Sequence, residues 1–347
     1  MDRVLLVRLG ALGDIVHAIP VAAALRRAFP AARIDWLVSA KHREILDRVP
    51  VIDRRIVIND RGSARGGVPI LDAIPELRRA HYDVAFDLQG LFKSAFFARV
   101  SGARRVVGFA SSHLREKIAR PFYTEVYRPA DAGHVVFQNL ALLSALDLTV
   151  GTPEFPIGPV ASDVARAMSR QTPGGYVLVN PGAAWPNKRW PAGRFGAVAA
   201  SLRETHGLST VVVWGPGERP IADEVVAGSR GAATLSPCTS IDDLIALARG
   251  AVLMISGDTG PMHIAAAVGT PVVGIFGPTR PSRNGPWAPR DVTVSRDSIC
   301  ACHHLRRCAL ATMCVMDIEV AEVFDAVERR LAQRPTLPGE SANAGRE

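Results

Sequence analysis

Short β-branched runs alternate with longer stretches rich in Ala, Leu and Arg along nearly the whole chain. In the first half the runs are VLLV (4–7), IDWLV (34–38), RIVI (55–58), VAFDL (84–88) and RVVGF (105–109). Helices are predicted between and after them, over 15–29, 40–49, 69–80 and 90–102. Continuous apolar runs of strand length, each followed by a helix, predict parallel βαβ units buried on both faces. The scheme then restarts with YVLVN (176–180), STVVVW (209–214), AVLMIS (251–256) and TPVVGIFG (270–277). Helices are predicted there over 193–206, 218–228, 240–249 and 260–268, with a last one over 317–333.

Between the two series lies GTPEFPIGP (151–159), rich in Gly and Pro and without periodicity, which predicts a linker. The expected class is α/β, with two Rossmann-like parallel-sheet domains facing across a cleft. The N-terminal domain is expected over 1–150, the linker over 151–160 and the C-terminal domain over 161–334, followed by a disordered tail over 335–347. In such sheets ligands sit beyond the carboxyl ends of the strands, near helix N-termini. The strand-to-helix loops are therefore the places to look for chemistry.

Charge narrows the partner. The 41 Lys and Arg exceed the 33 Asp and Glu by eight, which favours an anionic ligand, whether nucleic acid, acidic lipid or phosphorylated substrate. Aromatic residues make up only 6%, too few to suggest a stacking platform for single-stranded nucleic acid. Arg8 and Asp14 interrupt the apolar N-terminus, so a strand–turn–helix fits better than a signal peptide. The uncharged stretch 259–279 holds four Gly and three Pro, which argues against a membrane span. A cytoplasmic protein is expected.

Four loops stand out. RLGALGDIVHAIP (8–20) follows the first strand, and its Gly10 and Gly13 permit close approach of a ligand. Asp14 at the cleft mouth suits a base that takes a proton from a hydroxyl, or a simple helix cap. VNPGAAWPNKRWP (179–191) places Lys188 and Arg189 before a helix, as a phosphate site or a solvated basic loop. In WGPGERPIADEV (214–225), Glu218 suits either a ribose contact or the helix dipole. In ISGDTGPMHIAAAVGTPVVGIFGPTRP (255–281), Asp258, Thr259 and Gly260 open a small-residue helix whose free amides suit a diphosphate without requiring a metal. His263 lies one turn inside. No loop decides the matter alone; together they describe a nucleotide-diphosphate site on the second half, with an acceptor and a base on the first.

LGALGDIVHAIP (9–20), DLQGLFKSA (87–95), NPGAAWPNKRWP (180–191) and SGDTGPMHIAAAVGTPVVGIFGPT (256–279) resemble glycosyltransferase family 9, the ADP-heptose:lipopolysaccharide heptosyltransferases. The resemblance runs from Val4 to about Val327. DLQGLFKSA, with HLREKIARPFY (113–123) and His134, is most similar to heptosyltransferase I, whereas NPGA…KRWP is closer to heptosyltransferase II. The resemblance implies a GT-B fold whose C-terminal helix returns toward the first domain. It implies inverting, metal-independent transfer of heptose from ADP-L-glycero-D-manno-heptose to a Kdo sugar of Kdo-lipid A. Asp14 then matches the general base and Lys188 the lysine on the donor phosphates. Thr259 and Gly260 match the diphosphate turn, next to Asp258. His263 matches the histidine of the DTGxxH pattern and Glu218 the ribose-binding acid. Gly13, Gln89, Lys93, Arg115 and Arg120 are the residues expected on the acceptor side.

Ala183 and Ala184 depart from the hydroxyl residues that heptosyltransferase I tends to carry before the lysine loop. The bases Arg54, Arg55, Arg61, Arg65, Lys93, Arg104, Arg105, Arg115, Lys117 and Arg120 all fall in the first half, where an anionic lipid surface at the inner leaflet would suit them. Peripheral association with the inner membrane is therefore expected, and no nucleic acid. No cofactor is expected beyond the donor substrate. Cys300, Cys302, Cys308 and Cys314, in CACHHLRRCALATMC with His303 and His304, form a candidate structural zinc or iron cluster, against packed reduced thiols. Competing readings are a heptosyltransferase II or other family 9 enzyme, an NAD dehydrogenase without its GxGxxG, and a non-catalytic nucleotide-binding protein.

Overall fold

A computed structural model describes residues 1–59, 67–69, 71–129, 133–149, 151–303, 305–308 and 312–333. The predicted tail over 335–347 lies outside them, as do Arg61, Arg65 and His304.

The strands of the first half are β1 (Arg3–Val7), β2 (Arg33–Ser39), β3 (Arg54–Asn59), β4 (Val68–Pro69), β5 (Val84–Asp87), β6 (Arg105–Phe109) and β7 (Glu125–Tyr127). They form one parallel sheet in the order β4-β3-β2-β1-β5-β6-β7. The second half contributes β8 (Tyr176–Asn180), β9 (Ser209–Val212), β10 (Ala233–Leu235), β11 (Leu253–Gly257), β12 (Val272–Phe276) and β13 (Val292–Ser295). They form a second parallel sheet in the order β10-β9-β8-β11-β12-β13. Apart from the edge strand β4, the two halves share one order, with the reversal beside β1 and β8. That reversal is the crevice where doubly wound sheets bind ligands.

The apolar runs are strands because both of their faces are covered. Val4, Leu5, Leu6 and Val7 are fully buried, as are Leu178, Met254 and Val272. Helix Ala192–His206 turns Phe195, Val198, Ala199 and Leu202 inward at helical spacing. It ends at Gly207, whose φ of 66° supplies the left-handed cap that glycine adopts without a Cβ penalty. Residues 151–160 carry neither helix nor strand.

Several expectations change. The predicted helix over 15–29 is two helices, Leu12–Val16 and Ile19–Ala28. Pro20 has no amide hydrogen to continue the first, so the second starts afresh with the proline in its opening turn. His17 sits at that joint. The segment 40–49 forms a 3-10 helix, Ala40–Arg48. Edge strands β4, β7, β10 and β13 and helices Val135–Ala141 and Asp163–Gln171 were not anticipated, being short or weakly patterned. Among the described residues the C-terminal helix, Val320–Ala332, packs mainly on β12, β13 and helix Ala192–His206 of the second half. Val323, Ala326 and Val327 are its apolar stripe, and its buried Arg330 donates to Asp291 Oδ1 at 2.9 Å.

Candidate functional site

The two halves touch where the loop after β1 meets the loop after β11. A Cβ on Gly13 would lie 2.2 Å from Cδ2 of His263, and one on Gly260 would lie 2.8 Å from Cδ2 of Leu12. Only glycine lets helix Leu12–Val16 approach helix Gly260–Ala267 this closely. A bidentate ion pair between Arg48 and Asp242 and a 2.8 Å hydrogen bond from His134 Nε2 to the Gly285 carbonyl also cross between the halves.

Asp14 sits in the first turn of its helix. Its Oδ2 accepts the Ala11 amide at 3.1 Å, and its Oδ1 lies 2.8 Å from Arg8 Nη2. The capping role is therefore real, but 37% of the side chain stays exposed, leaving acceptor capacity toward solvent. Arg8 is buried by comparison and also donates to the Leu88 carbonyl. Gln89 accepts the Leu9 amide at 2.8 Å and so holds the same loop. Behind it the buried Asp87 accepts from the Gln89 and Gly90 amides, Ser94 and Tyr123. Burial pushes the Asp87 carboxyl upward, against the pull of these donors.

On the other side, Lys188 Nζ lies 2.6 Å from Asp258 Oδ2 and 4.6 Å from the centre of the Trp185 ring. Asp258 Oδ1 lies 3.1 Å from His263 Nε2. Burial alone would raise the Asp258 carboxyl, but His263 and Lys188 outweigh it and hold the group well below the ordinary carboxylate range. Thr259 Oγ1 meets Asn180 Nδ2 at 3.1 Å and Ser256 Oγ at 3.0 Å. The first amides of helix Gly260–Ala267 carry no side-chain cap from Thr259, as an anion-binding helix start requires. Glu218 lies against Gly182 and accepts the Gly215 amide at 3.1 Å. The Ala183 carbonyl accepts from Arg189 Nε at 2.8 Å, so this position contributes its backbone.

One series of contacts joins the halves: His17 Nε2 to His263 Nδ1 at 3.0 Å, then Asp258, then Lys188. His17 is buried, and its imidazole is held well below the usual histidine value, first by burial, then by His263, His134, Arg8 and Arg283. Burial also lowers His134, which meets His17 edge-on at 5.4 Å. Arg283 stays solvent-accessible, yet the surrounding protein lowers its guanidinium, with Arg8 and Arg115 adding to that effect and Asp14 and Asp258 opposing it. Arg283 thus connects the two loops electrostatically. Sequence reasoning gave no role to Arg8, His17 or Arg283; Arg8 and His17 stood inside the loop motif, whereas Arg283 follows the motif's last residue.

Of the expected site residues, Gly13, Asp14, Asp258, Gly260 and His263 converge at the junction. Lys188 joins through Asp258, Thr259 opens the same helix, and Glu218 borders the 181–183 turn. Lys93 lies on helix Phe92–Val100 and Arg120 on the 3-10 turn Lys117–Phe122 that packs against it, with Arg115 two residues before that turn. The basic half is less free than its composition suggests. Arg54, Arg55, Arg104 and Arg105 are ion-paired with Glu76, Asp47, Asp83 and Glu125. Arg115 and Lys117 remain exposed.

All the cysteines are free thiols; Cys300 and Cys302 are buried, with their sulfurs 3.5 Å apart. Among the described residues no group of three or more His, Cys, Asp or Glu is placed to hold a metal ion. No described helix is long and apolar enough to cross a membrane.

Residues 70–313 match the model of glycosyltransferase family 9 (heptosyltransferase). Lipopolysaccharide heptosyltransferase 1 of Pseudomonas aeruginosa is 32% identical over 308 residues, covering 86% of this chain and 85% of that protein. Lipopolysaccharide heptosyltransferase 3 of Escherichia coli K12 is 29% identical over 286 residues, 79% of this chain and 82% of that one. Among solved structures, E. coli heptosyltransferase WaaC with ADP superposes with a TM-score of 0.71 at 21% identity, over 95% of this chain and 98% of that one. The family 9 glycosyl transferase of Veillonella parvula gives 0.77 at 22%, over 96% and 98%. The fold they share is GT-B.

Proposed function

This chain belongs to glycosyltransferase family 9, and we propose that it moves heptose from ADP-L-glycero-D-manno-heptose onto a Kdo sugar of Kdo-lipid A, as a heptosyltransferase I-like enzyme. The observation that carries the reading is the junction itself. A solvent-accessible carboxylate, Asp14, sits on the helix that packs directly on the helix start at Asp258–Gly260, with Gly13 against His263.

In the proposed reaction the acceptor hydroxyl oxygen attacks the anomeric carbon from the face opposite the diphosphate. Its proton passes to Asp14, the bond from that carbon to the phosphate oxygen breaks, and the electron pair leaves on ADP. The configuration inverts. Lys188, Thr259 and the free amides of helix Gly260–Ala267 stabilise the charge on the leaving diphosphate, so the step is proposed to need no metal. Glu218 holds the ribose. Arg8 fixes Asp14, and Gln89 keeps its loop in place. Gly13, Lys93, Arg115 and Arg120 serve the acceptor.

The acceptor is a lipid, and the acceptor surface suits a cytoplasmic enzyme on the face of the inner membrane. Phe92 and Ile118 are 44% and 63% exposed there. Phe92 packs edge-on against Phe122 at 5.5 Å, and Arg115 and Lys117 precede Ile118 in sequence, with Arg120 after it. Apolar tips among cations match an anionic lipid surface, at about 1 kcal/mol per base. Vesicles containing anionic lipid should sediment the protein, and raised salt should release it.

The decisive experiment is mass spectrometry of Kdo-lipid A after incubation with the protein and ADP-heptose. Addition of one heptose is expected. Binding of the donor without transfer to Kdo-lipid A, but with transfer to a heptosylated core, would favour a heptosyltransferase II-like acceptor, as the NPGA…KRWP loop suggests.

A further inference from the structure

The His17–His263 contact is the only link, in the series from His17 to Lys188, that joins groups on different halves. The other two links, His263 to Asp258 and Asp258 to Lys188, stay within the second half. Hydrogen-bond logic fixes the protons. Asp258 is an ionised carboxylate and accepts only, so His263 Nε2 carries a hydrogen and donates to it. If His263 were doubly protonated, its Nδ1–H would donate to His17 Nε2. The sole hydrogen of a neutral His17 would then sit on Nδ1. That atom is buried and meets no hydrogen-bond partner among the described residues, and a buried unmet donor is costly. With a neutral His263, His17 Nε2–H donates to Nδ1 of His263, and only a bare lone pair is left unmet. The orphaned atom therefore reports the direction of the bond: the first half donates to the second.

His17 is built to make this donation. It stands at the break between helices Leu12–Val16 and Ile19–Ala28. Its carbonyl accepts Asn139 Nδ2 at 3.1 Å, and the His134 ring braces it edge-on. We infer that His17 is a positioning residue that couples the seating of the two halves to the donor grip, by pinning His263 so that Asp258 holds Lys188 toward the diphosphate. This rests on the proposed donor site and adds to it a signal from the acceptor half. When the halves part, His263 loses its external donor, and the Asp258–Lys188 pair loses the brace that fixes its direction.

The test uses the full chain with His17→Phe, which keeps a ring and removes the donor. His17→Gln places an amide N–H near the Nε2 position, and His17→Asn places one too short to reach. Calorimetry with ADP and steady-state kinetics with ADP-heptose and Kdo-lipid A give the readouts. His17→Phe and His17→Asn are expected to weaken ADP about tenfold, the worth of one hydrogen bond in a charged series. They should lower kcat without changing the acceptor KM, while His17→Gln recovers most of both. Protonating His17 would leave its Nε2–H donating and would add a hydrogen to the buried Nδ1, which meets no partner among the described residues. In a buffer series from about pH 7.5 to 5.5, the ratio of wild-type to His17→Phe ADP affinity should be the same at about pH 7.5 and 6.5, because the wild-type imidazole is held well below the usual histidine value and stays neutral there. The titratable and charged groups that face His17 are His263, His134, Arg8 and Arg283. Thermal melting confirms that each variant is folded. ADP affinity and kcat equal to wild type in the Phe variant, or a Gln variant no better than Phe, would overturn the inference. A wild-type chain that binds no ADP would instead remove the donor reading on which it rests.

Discussion

The two halves are the same scaffold used in opposite ways. Each is a parallel sheet with the same strand order around its reversal point, and each presents loops at the carboxyl ends of its strands. In the second half the charged groups are internalised and mutually satisfied: the Asp258 and Lys188 side chains are only 7% and 15% exposed and lie on each other. In the first half Asp14 is more than a third exposed, and Arg115 and Lys117 stand in solvent. A buried, fully paired cluster suits a ligand that is anionic throughout the working pH range, such as the diphosphate of a nucleotide sugar. An open surface suits a large acceptor that arrives from a membrane. Where one ligand must be gripped and another merely presented, burial separates the tasks.

The contrast predicts different failures on the two sides. The largest effect should come from the open side. Asp14→Asn keeps the Ala11 contact and side-chain size but removes the base, so kcat should fall about 10²–10⁴-fold, with ADP affinity by calorimetry close to wild type. Loss of ADP binding in that variant would show that Asp14 belongs to the donor grip and would erase the division. On the buried side, Lys188→Met should lower kcat about 10²–10³-fold, as removal of a donor to a developing oxyanion does, and weaken ADP as well. It also strands Asp258 without its cation, so stability should drop by about 3 kcal/mol, visible as a lower midpoint in urea. A Lys188→Met protein with unchanged stability would mean that the pair is more hydrated than its burial implies.

A substitution at the junction tests whether the halves must touch at all. Gly13→Ala adds one methyl group, placed 2.2 Å from a carbon of His263. One side must move, and a misplacement of about 1 Å at a reacting centre costs about 10²-fold in rate. The melting temperature should hardly change, because each sheet keeps its own packing. If instead Gly13→Ala is active, the contact is dispensable for transfer.

How much of this was legible in the sequence follows from where the signals lie. The strands were readable because their apolar runs are local, and β1 and β8 are continuous hydrophobic segments followed by Gly-containing turns. The candidate groups Asp14, Lys188, Glu218, Asp258 and His263 were readable because each sits just after a strand. Their pairing was not. The contact from His17 to His263 spans 246 positions, and Lys188 finds Asp258 across 70. Neither pair leaves a local pattern. Arg8 looked like a flaw in an apolar run, whereas folding turns it into the partner of Asp14. The excess of basic residues says less than its count for the same reason, since Arg54, Arg55, Arg104 and Arg105 meet carboxylates from neighbouring segments only in the folded chain. Helix Val320–Ala332 was placed in sequence by its apolar stripe, but the surface that receives the stripe is set by β12 and β13.

The smallest predicted effect concerns the seam between the halves rather than either side. His17 is buried and His134 half-buried there, both with imidazoles below their usual range. The unfolded chain, with ordinary histidines near pH 6.5, takes up protons before the folded one does. Their contribution to stability is therefore complete above about pH 6.5 and is lost as pH falls through that value toward the depressed folded-state values. Melting in the same buffer series between pH 7.5 and 5.5 should show a decline of a few degrees on the acid side. The Asp258–Lys188 pair does not contribute in that window, because the Asp258 carboxyl is held below the ordinary carboxylate range and titrates only at much lower pH. A His17→Phe, His134→Phe double variant should flatten the decline. A decline that persists unchanged in the double variant would move its origin away from the seam, and the two halves would then have to be regarded as meeting without a titrating contact between them.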